Sequence, residues 1–214
     1  MAMQDQLAIL QSMQLTSRKI TTTKSQYYHV WIAAAKDQIF FQTSFDKAFF
    51  ISLFQDYLSP RASLGEWSRR HQGYAAELDL IVYSLTDFGV NLLVCTSNVE
   101  AVEDFGQSLL SHYATYLSQQ QSWEVLPFDT VFVYDHLADE HEALGISREI
   151  HLLHDDWQGD RYSSIGFFID DRRGDWLQPW RLTNLFHNDR NWYFNFMQDD
   201  ADRIPAETLQ FIET

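Results

Sequence analysis

Cysteine is almost absent from this chain, with one residue, Cys95, among 214. A single thiol cannot close an intramolecular disulfide, so nothing in the sequence points to an oxidising compartment. Positive charge is scarce too. Fifteen Lys and Arg stand against 30 Asp and Glu, for a formal charge of −15. Affinity for nucleic acid rests largely on phosphates neutralised by basic side chains. A chain this acidic repels DNA at long range unless a local basic patch overrides the net field. Long apolar runs are missing, so no stretch approaches the roughly 20 residues of a membrane-spanning helix. The N-terminal MAMQDQLAILQSMQLTSRKI lacks the basic start and apolar run of a signal peptide. A soluble, cytoplasmic protein with no membrane partner is the expectation. P-loop, G-x-S-x-G, dinucleotide-binding and kinase signatures are all lacking, as are CxxC and HExxH.

What the chain has instead is a large apolar and aromatic load, 45% and 15% of residues. That excludes a wholly disordered chain, and the length suits one domain with an elaborate tail. Residues 1–26 read as a polar helix-and-loop segment. Tyr28–Ala34 reads as a strand. Asp46–Leu58 places Phe49, Phe50, Leu53, Phe54 and Tyr57 at helical spacing, with Pro60 set to stop the helix. Residues 61–73 read as a polar loop. Leu78–Leu85 and Val90–Thr96 read as two strands joined by TDFG in a hairpin. Ser97 or Asn98 is placed to cap a helix carrying Phe105, Leu109, Tyr113 and Leu117, a stripe better suited to a core than to a binding face. Phe128–Tyr134 reads as a fourth strand, and His136–Leu153 as a helix. Cys95, following three apolar residues, reads as an inert packed thiol. The tail holds Trp176, Trp180, Trp192, Tyr193, Phe194 and Phe196, which suits packing onto the domain or a partner.

Three segments resemble, in order, the IS200-like tyrosine transposases, especially the branch associated with repetitive extragenic palindromes. Tyr83–Val94, YSLTDFGVNLLV, is similar to that family's YCLMPNHVHLLV strand. REIHLLHDD, beginning at Arg148, is similar to its RYIHLNP helix. Tyr162, Ser163, Ser164, Trp176 and Leu177 match its C-terminal segment. The resemblance runs from about residue 28 to about residue 197. It implies an α+β fold: a ferredoxin-like βαββαβα core, a four-stranded antiparallel sheet with helices on one face, and an aromatic C-terminal extension. The implied divisions are 1–26, 27–157 for the transposase-like domain, and 158–214 for the extension.

The resemblance also implies where chemistry has been lost. Family members hold a divalent metal such as magnesium or manganese with the two histidines of NHVH, and attack DNA with the helix tyrosine. Gly89 and Asn91 stand at the histidine positions, and Glu149 at the tyrosine. Phosphate attack needs charge neutralisation at phosphorus and an activated nucleophile. No metal cofactor is expected here, and the enzymatic reading leans to no. The His136/His141 and His151/His154 pairs suit solvated or core histidines better than a metal site. Tyr113, Tyr116 and Tyr134 are the candidates for a displaced nucleophile.

Candidate nucleic-acid contacts are Arg61, Arg69 and Arg70, and Arg161, Arg172 and Arg173, each group with aromatics nearby. Single-stranded or hairpin DNA is one expected partner, and a protein engaged by the acidic surface is the other. Homodimer and monomer both remain open. The first functional expectation is a catalytically inactive, nucleic-acid-binding or regulatory relative of the transposases. The alternatives are an acidic protein-interaction module and an active nuclease with displaced residues.

Overall fold

The computed structural model describes residues 25–34, 38–60, 73–120 and 130–198. Strand β1 is Gln26–Ala34, β2 Leu78–Leu85, β3 Gly89–Thr96 and β4 Thr130–Leu137. They form one sheet in the order β2-β3-β1-β4, with every neighbouring pair antiparallel. Helix α1 (Ser44–Leu58) follows β1, α2 (Glu100–Gln120) follows β3, and α3 (Glu140–His151) follows β4. Three short α-helices, α4 (Ile165–Ile169), α5 (Trp180–Thr183) and α6 (Arg190–Gln198), and two single-turn 3-10 helices, Trp157–Gly159 and Asn184–Phe186, complete the described chain. No helix among the described residues is long and apolar enough to cross a membrane.

Local chemistry explains most boundaries. Helix α1 starts two residues before the apolar pattern because Thr43 and Asp46 form a reciprocal cap. The Thr43 hydroxyl accepts from the Asp46 amide at 3.2 Å, and the Asp46 carboxylate accepts from the Thr43 amide at 2.8 Å. The TDFG turn closes the β2–β3 hairpin with the Thr86 amide donating to the Gly89 carbonyl at 2.9 Å. Strand β4 corrects the sequence reading. His136 and Leu137, expected to open a helix, pair with Tyr28 and Tyr27 of β1. The helix starts only after Asp139, whose carboxylate accepts from the His141 and Glu142 amides, each at 2.9 Å.

The expectation of helices on one face is also corrected. One cluster joins Tyr28, Val30 and Ile32 of β1 to Phe50 and Phe54 of α1 and to Phe105, Leu109 and Tyr113 of α2. A second cluster, on the opposite face, joins Tyr27, Val82, Leu93 and Cys95 to Ala143, Leu144 and Ile150 of α3 and to Phe168, Tyr193 and Phe196 of the tail. The sheet is thus sandwiched, and the aromatic tail builds half of the second layer. In the first cluster Phe40, Phe41 and Phe50 meet edge to face at 4.8–5.9 Å between centroids. Each fully buried ring stabilises by roughly 2–3 kcal/mol. Cys95 is 2% exposed and packs in the second cluster.

The two sheet edges differ. The outer edge of β2 is occupied by the tail: the Leu85 amide donates to the Tyr162 carbonyl at 3.0 Å, Ser164 to Tyr83 at 2.9 Å, and Gln178 to Leu80 at 2.8 Å. Among the described residues, nothing pairs with the outer edge of β4.

Candidate functional site

On the α3 face, the antiparallel registers set one row of side chains straight across the sheet. Ser84 of β2 lies opposite Asn91 of β3, Asn91 opposite Trp31 of β1, and Trp31 opposite Val133 of β4. The row opens to solvent as it crosses. Ser84 is fully buried and Asn91 half-buried, whereas Trp31 is 47% and Val133 45% exposed. Helix α3 and the tail cover β2 and β3 and leave this end of β1 and β4 bare. His29 and the exposed Asp135 stand opposite each other in the next row. The His29 Nε2 lies 3.2 Å from the Asn91 Oδ1, which fixes the amide beside Trp31.

Gly89 sits at the start of β3, directly opposite Ala33. Its side-chain position is closed. A Cβ there would collide with the Ile32 carbonyl oxygen and stand 3.0 Å from the Ala33 Cα. Both obstacles are backbone, so relief requires moving β1. A glycine inside a strand often marks such a close approach of another backbone. A histidine cannot be accommodated at position 89 in this backbone.

Glu149 lies on the last turns of α3. The helix runs from Glu140, which accepts a long 3.4 Å bond from the Tyr27 hydroxyl, to a turn where the His154 Nε2 meets the Leu85 carbonyl at 3.2 Å. Leu85 pairs with Val90, so the Glu149 turns overlie the same end of the sheet as Gly89 and Asn91. The Glu149 side chain itself is exposed. Among the described residues, the Asn91 side chain is bonded by His29 and not by Glu149.

The helix residue two positions further on has a different role. His151 is completely buried, and both ring nitrogens are engaged, with Tyr193 Oη and Ser164 Oγ each at 2.8 Å. The Ser147 hydroxyl donates to the Leu144 carbonyl at 2.7 Å and lies 3.1 Å from Tyr193 Oη. Ser164 Oγ also accepts from the Tyr83 amide at 2.9 Å. The Ser164 hydroxyl also reaches the Tyr83 carbonyl at 3.2 Å, so every polar side-chain atom of this cluster has a partner. Burial pushes the His151 pKa down to about 3 and raises that of the Tyr193 phenol. This neutral network ties α3, α6 and the start of α4 to β2. It leaves neither nitrogen of His151 for a metal. Sequence reasoning missed it, because its members lie far apart in the chain.

Each of the three candidate displaced nucleophiles donates a hydrogen bond within the domain. Tyr113 is buried and donates to the Phe40 carbonyl at 2.9 Å, Tyr116 donates to Asp46 at 3.2 Å, and Tyr134 to Glu103 at 2.5 Å. Burial raises the pKa of Tyr113 and Tyr116, and the bond to Glu103 raises that of Tyr134. All three pack with the α1/α2 face, on the opposite side of the sheet from Asn91.

The cations are distributed as follows. Arg61, Arg69 and Arg70 lie outside the described residues. Arg172 donates to the Ser163 carbonyl at 3.4 Å and stands 5.7 Å over the Phe167 ring. Arg161 and Arg173 are exposed. Lys47 pairs with Asp87 at 2.7 Å, Arg190 with Asp171 at 2.7 Å, and Arg181 with Asp79. Among the described residues, no three His, Cys, Asp or Glu side chains gather as a metal-binding group.

No family model matches the chain, and searches of curated proteins and of solved structures also return no match.

Proposed function

We propose that the chain is a non-enzymatic binding protein built on the ferredoxin-like frame of the single-strand transposases, and that the open end of its sheet is the binding face. The element order βαββαβα and the strand order β2-β3-β1-β4 support the ferredoxin-like reading. One observation carries the non-enzymatic part. At the two positions where the resemblance implies metal-binding histidines, Gly89 has no room for a side chain and Asn91 is held by His29. A neutral amide is a poor substitute for imidazole at a divalent metal.

The ligand of this face is single-stranded or hairpin DNA. Trp31 supports that choice: an exposed indole on an open sheet surface, with His29 and Asn91 beside it, is the arrangement on which an unpaired base stacks. Stacking tolerates an acidic protein better than phosphate contacts do.

A second reading, an acidic module that binds a protein, draws support from the internal pairing of Lys47, Arg181 and Arg190. Fluorescence anisotropy with a labelled hairpin oligonucleotide carrying a single-stranded flank separates the two. The first reading expects saturable binding that Trp31→Ala weakens about 5- to 150-fold, the range of one lost base stack. Absence of binding at low salt, or equal binding by Trp31→Ala, favours the protein partner. A covalent DNA adduct formed with magnesium or manganese would overturn both.

A further inference from the structure

At the end of the sheet away from Gly89 lies a second feature that the binding face does not use. A cavity of about 590 Å³ opens between the start of β1, the end of β3, the β4–α3 connection and α5. Its volume falls within the ~300–1,000 Å³ of small-molecule sites. Its polar lining includes Tyr27, His136, Glu140 and Arg181, with Cys95 alongside.

Charges of opposite sign flank one hydroxyl there. The Tyr27 phenol donates to Glu140 Oε1 over a long 3.4 Å, and its pKa is pushed up to about 12, first by burial and then by the Glu140 carboxylate, while Arg181 opposes the rise. Arg181 is held in place. Its Nε donates to Asp79 Oδ2 at 2.6 Å, its Nη2 joins the same oxygen, and its guanidinium lies 5.1 Å over the Trp180 ring. Asp79 thus takes the Nε–Nη2 side of the fork, and no described residue takes Nη1. Asp139 differs from Glu140, since its carboxylate is committed to the α3 cap.

We propose that this cavity binds a small zwitterion of the α-amino-acid class, its carboxylate on the Nη1 side of Arg181 and its ammonium group between Glu140 and the Tyr27 oxygen. A purely anionic ligand would meet Glu140 and Asp139 inside a protein of charge −15. A purely cationic one would meet Arg181. A ligand with both charges a few atoms apart satisfies both sides. Leu137 and the Tyr27 ring offer apolar surface to its side chain.

The test is titration calorimetry of the full chain against each of the common L-amino acids, with matched primary amines and carboxylic acids as single-charge controls. The expected result is saturable binding of at least one amino acid, and binding at least tenfold weaker for both of its single-charge counterparts. Glu140→Gln should weaken binding tenfold or more and Tyr27→Phe several-fold, with circular dichroism showing both variants folded. No binding by any amino acid at 10 mM ligand, on the order of the weakest useful affinity, overturns the proposal. So does binding that Glu140→Gln leaves unchanged, or an amine that binds as tightly as the amino acid.

Discussion

Acid should weaken this protein through one buried imidazole, and the size of the effect follows from its surroundings. His151 is fully buried with both nitrogens engaged in a neutral network, and its pKa in the folded protein is about 3 against an ordinary 6.5. Below pH 6.5 the unfolded chain binds a proton at this residue and the folded chain does not. Stability is therefore fully present above pH 6.5, declines as pH falls toward 3, and levels below that. Each pH unit in this window corresponds to about 1.4 kcal/mol, so moving from pH 6.5 to 5 costs about 2 kcal/mol. That is a large share of a typical stability of about 5–15 kcal/mol.

The perturbation that isolates the effect is His151→Gln. It removes the titration and disturbs two buried hydrogen bonds, at a cost of about 2–4 kcal/mol at pH 7. Urea unfolding followed by far-ultraviolet circular dichroism, at pH 7 and pH 5, gives four stabilities. Other titrating groups contribute equally to both proteins and cancel in the comparison. The gap between wild type and variant should narrow by about 2 kcal/mol at pH 5. A gap unchanged to within about 0.5 kcal/mol, the usual additivity error, would show that His151 is not held neutral and would refute the reasoning.

Gly89→Ala should destabilise by about 1–3 kcal/mol or more, because its Cβ meets the backbone of Ile32 and Ala33; chemical denaturation measures this, and a neutral result would show that β1 can shift. Placing histidines at positions 89 and 91 and tyrosine at 149 together should fail to produce nicking of hairpin DNA, for the same steric reason; a gel assay with manganese checks it. The Ser84 hydroxyl is buried beside Asn91 and, among the described residues, has no hydrogen-bond partner. Ser84→Ala should therefore be neutral or stabilising by up to about 1 kcal/mol in urea unfolding. Trp31→Ala should change stability by less than about 1 kcal/mol, in contrast to its expected effect on oligonucleotide binding.

The strands were largely legible because their residues are. Leu78–Leu85 was read to the residue, and Val90–Thr96 missed only Gly89. The two-faced burial was legible in principle. LDLIVYSL and NLLVC are nearly continuous apolar runs, the mark of strands covered on both sides, whereas a one-sided sheet alternates. Gly89 could have been flagged as a close backbone approach, since glycine weakens a strand unless something requires it. The start of α3 was misplaced because His136 and Leu137 are compatible with either element; their pairing with β1 decides, and that is a long-range fact. The His151 network had no local signal at all. Its partners Ser164 and Tyr193 lie 13 and 42 residues away.

The capped edge of β2 has a consequence for synthesis. The groups that close it, Tyr162 to Ser164 and Gln178, and the rings that cover α3, Tyr193 and Phe196, are all made after α3. A nascent chain that has just completed α3 presents the β2 edge unpaired, in addition to that of β4, and one incompletely covered apolar layer. At about 5–20 residues per second, translation leaves that surface open for a few seconds before α6 is made. Exposed strand edges and apolar layers are where nascent chains associate wrongly. The molecule therefore passes its most aggregation-prone moment late in synthesis, and a pause between residues 152 and 190 would lengthen it.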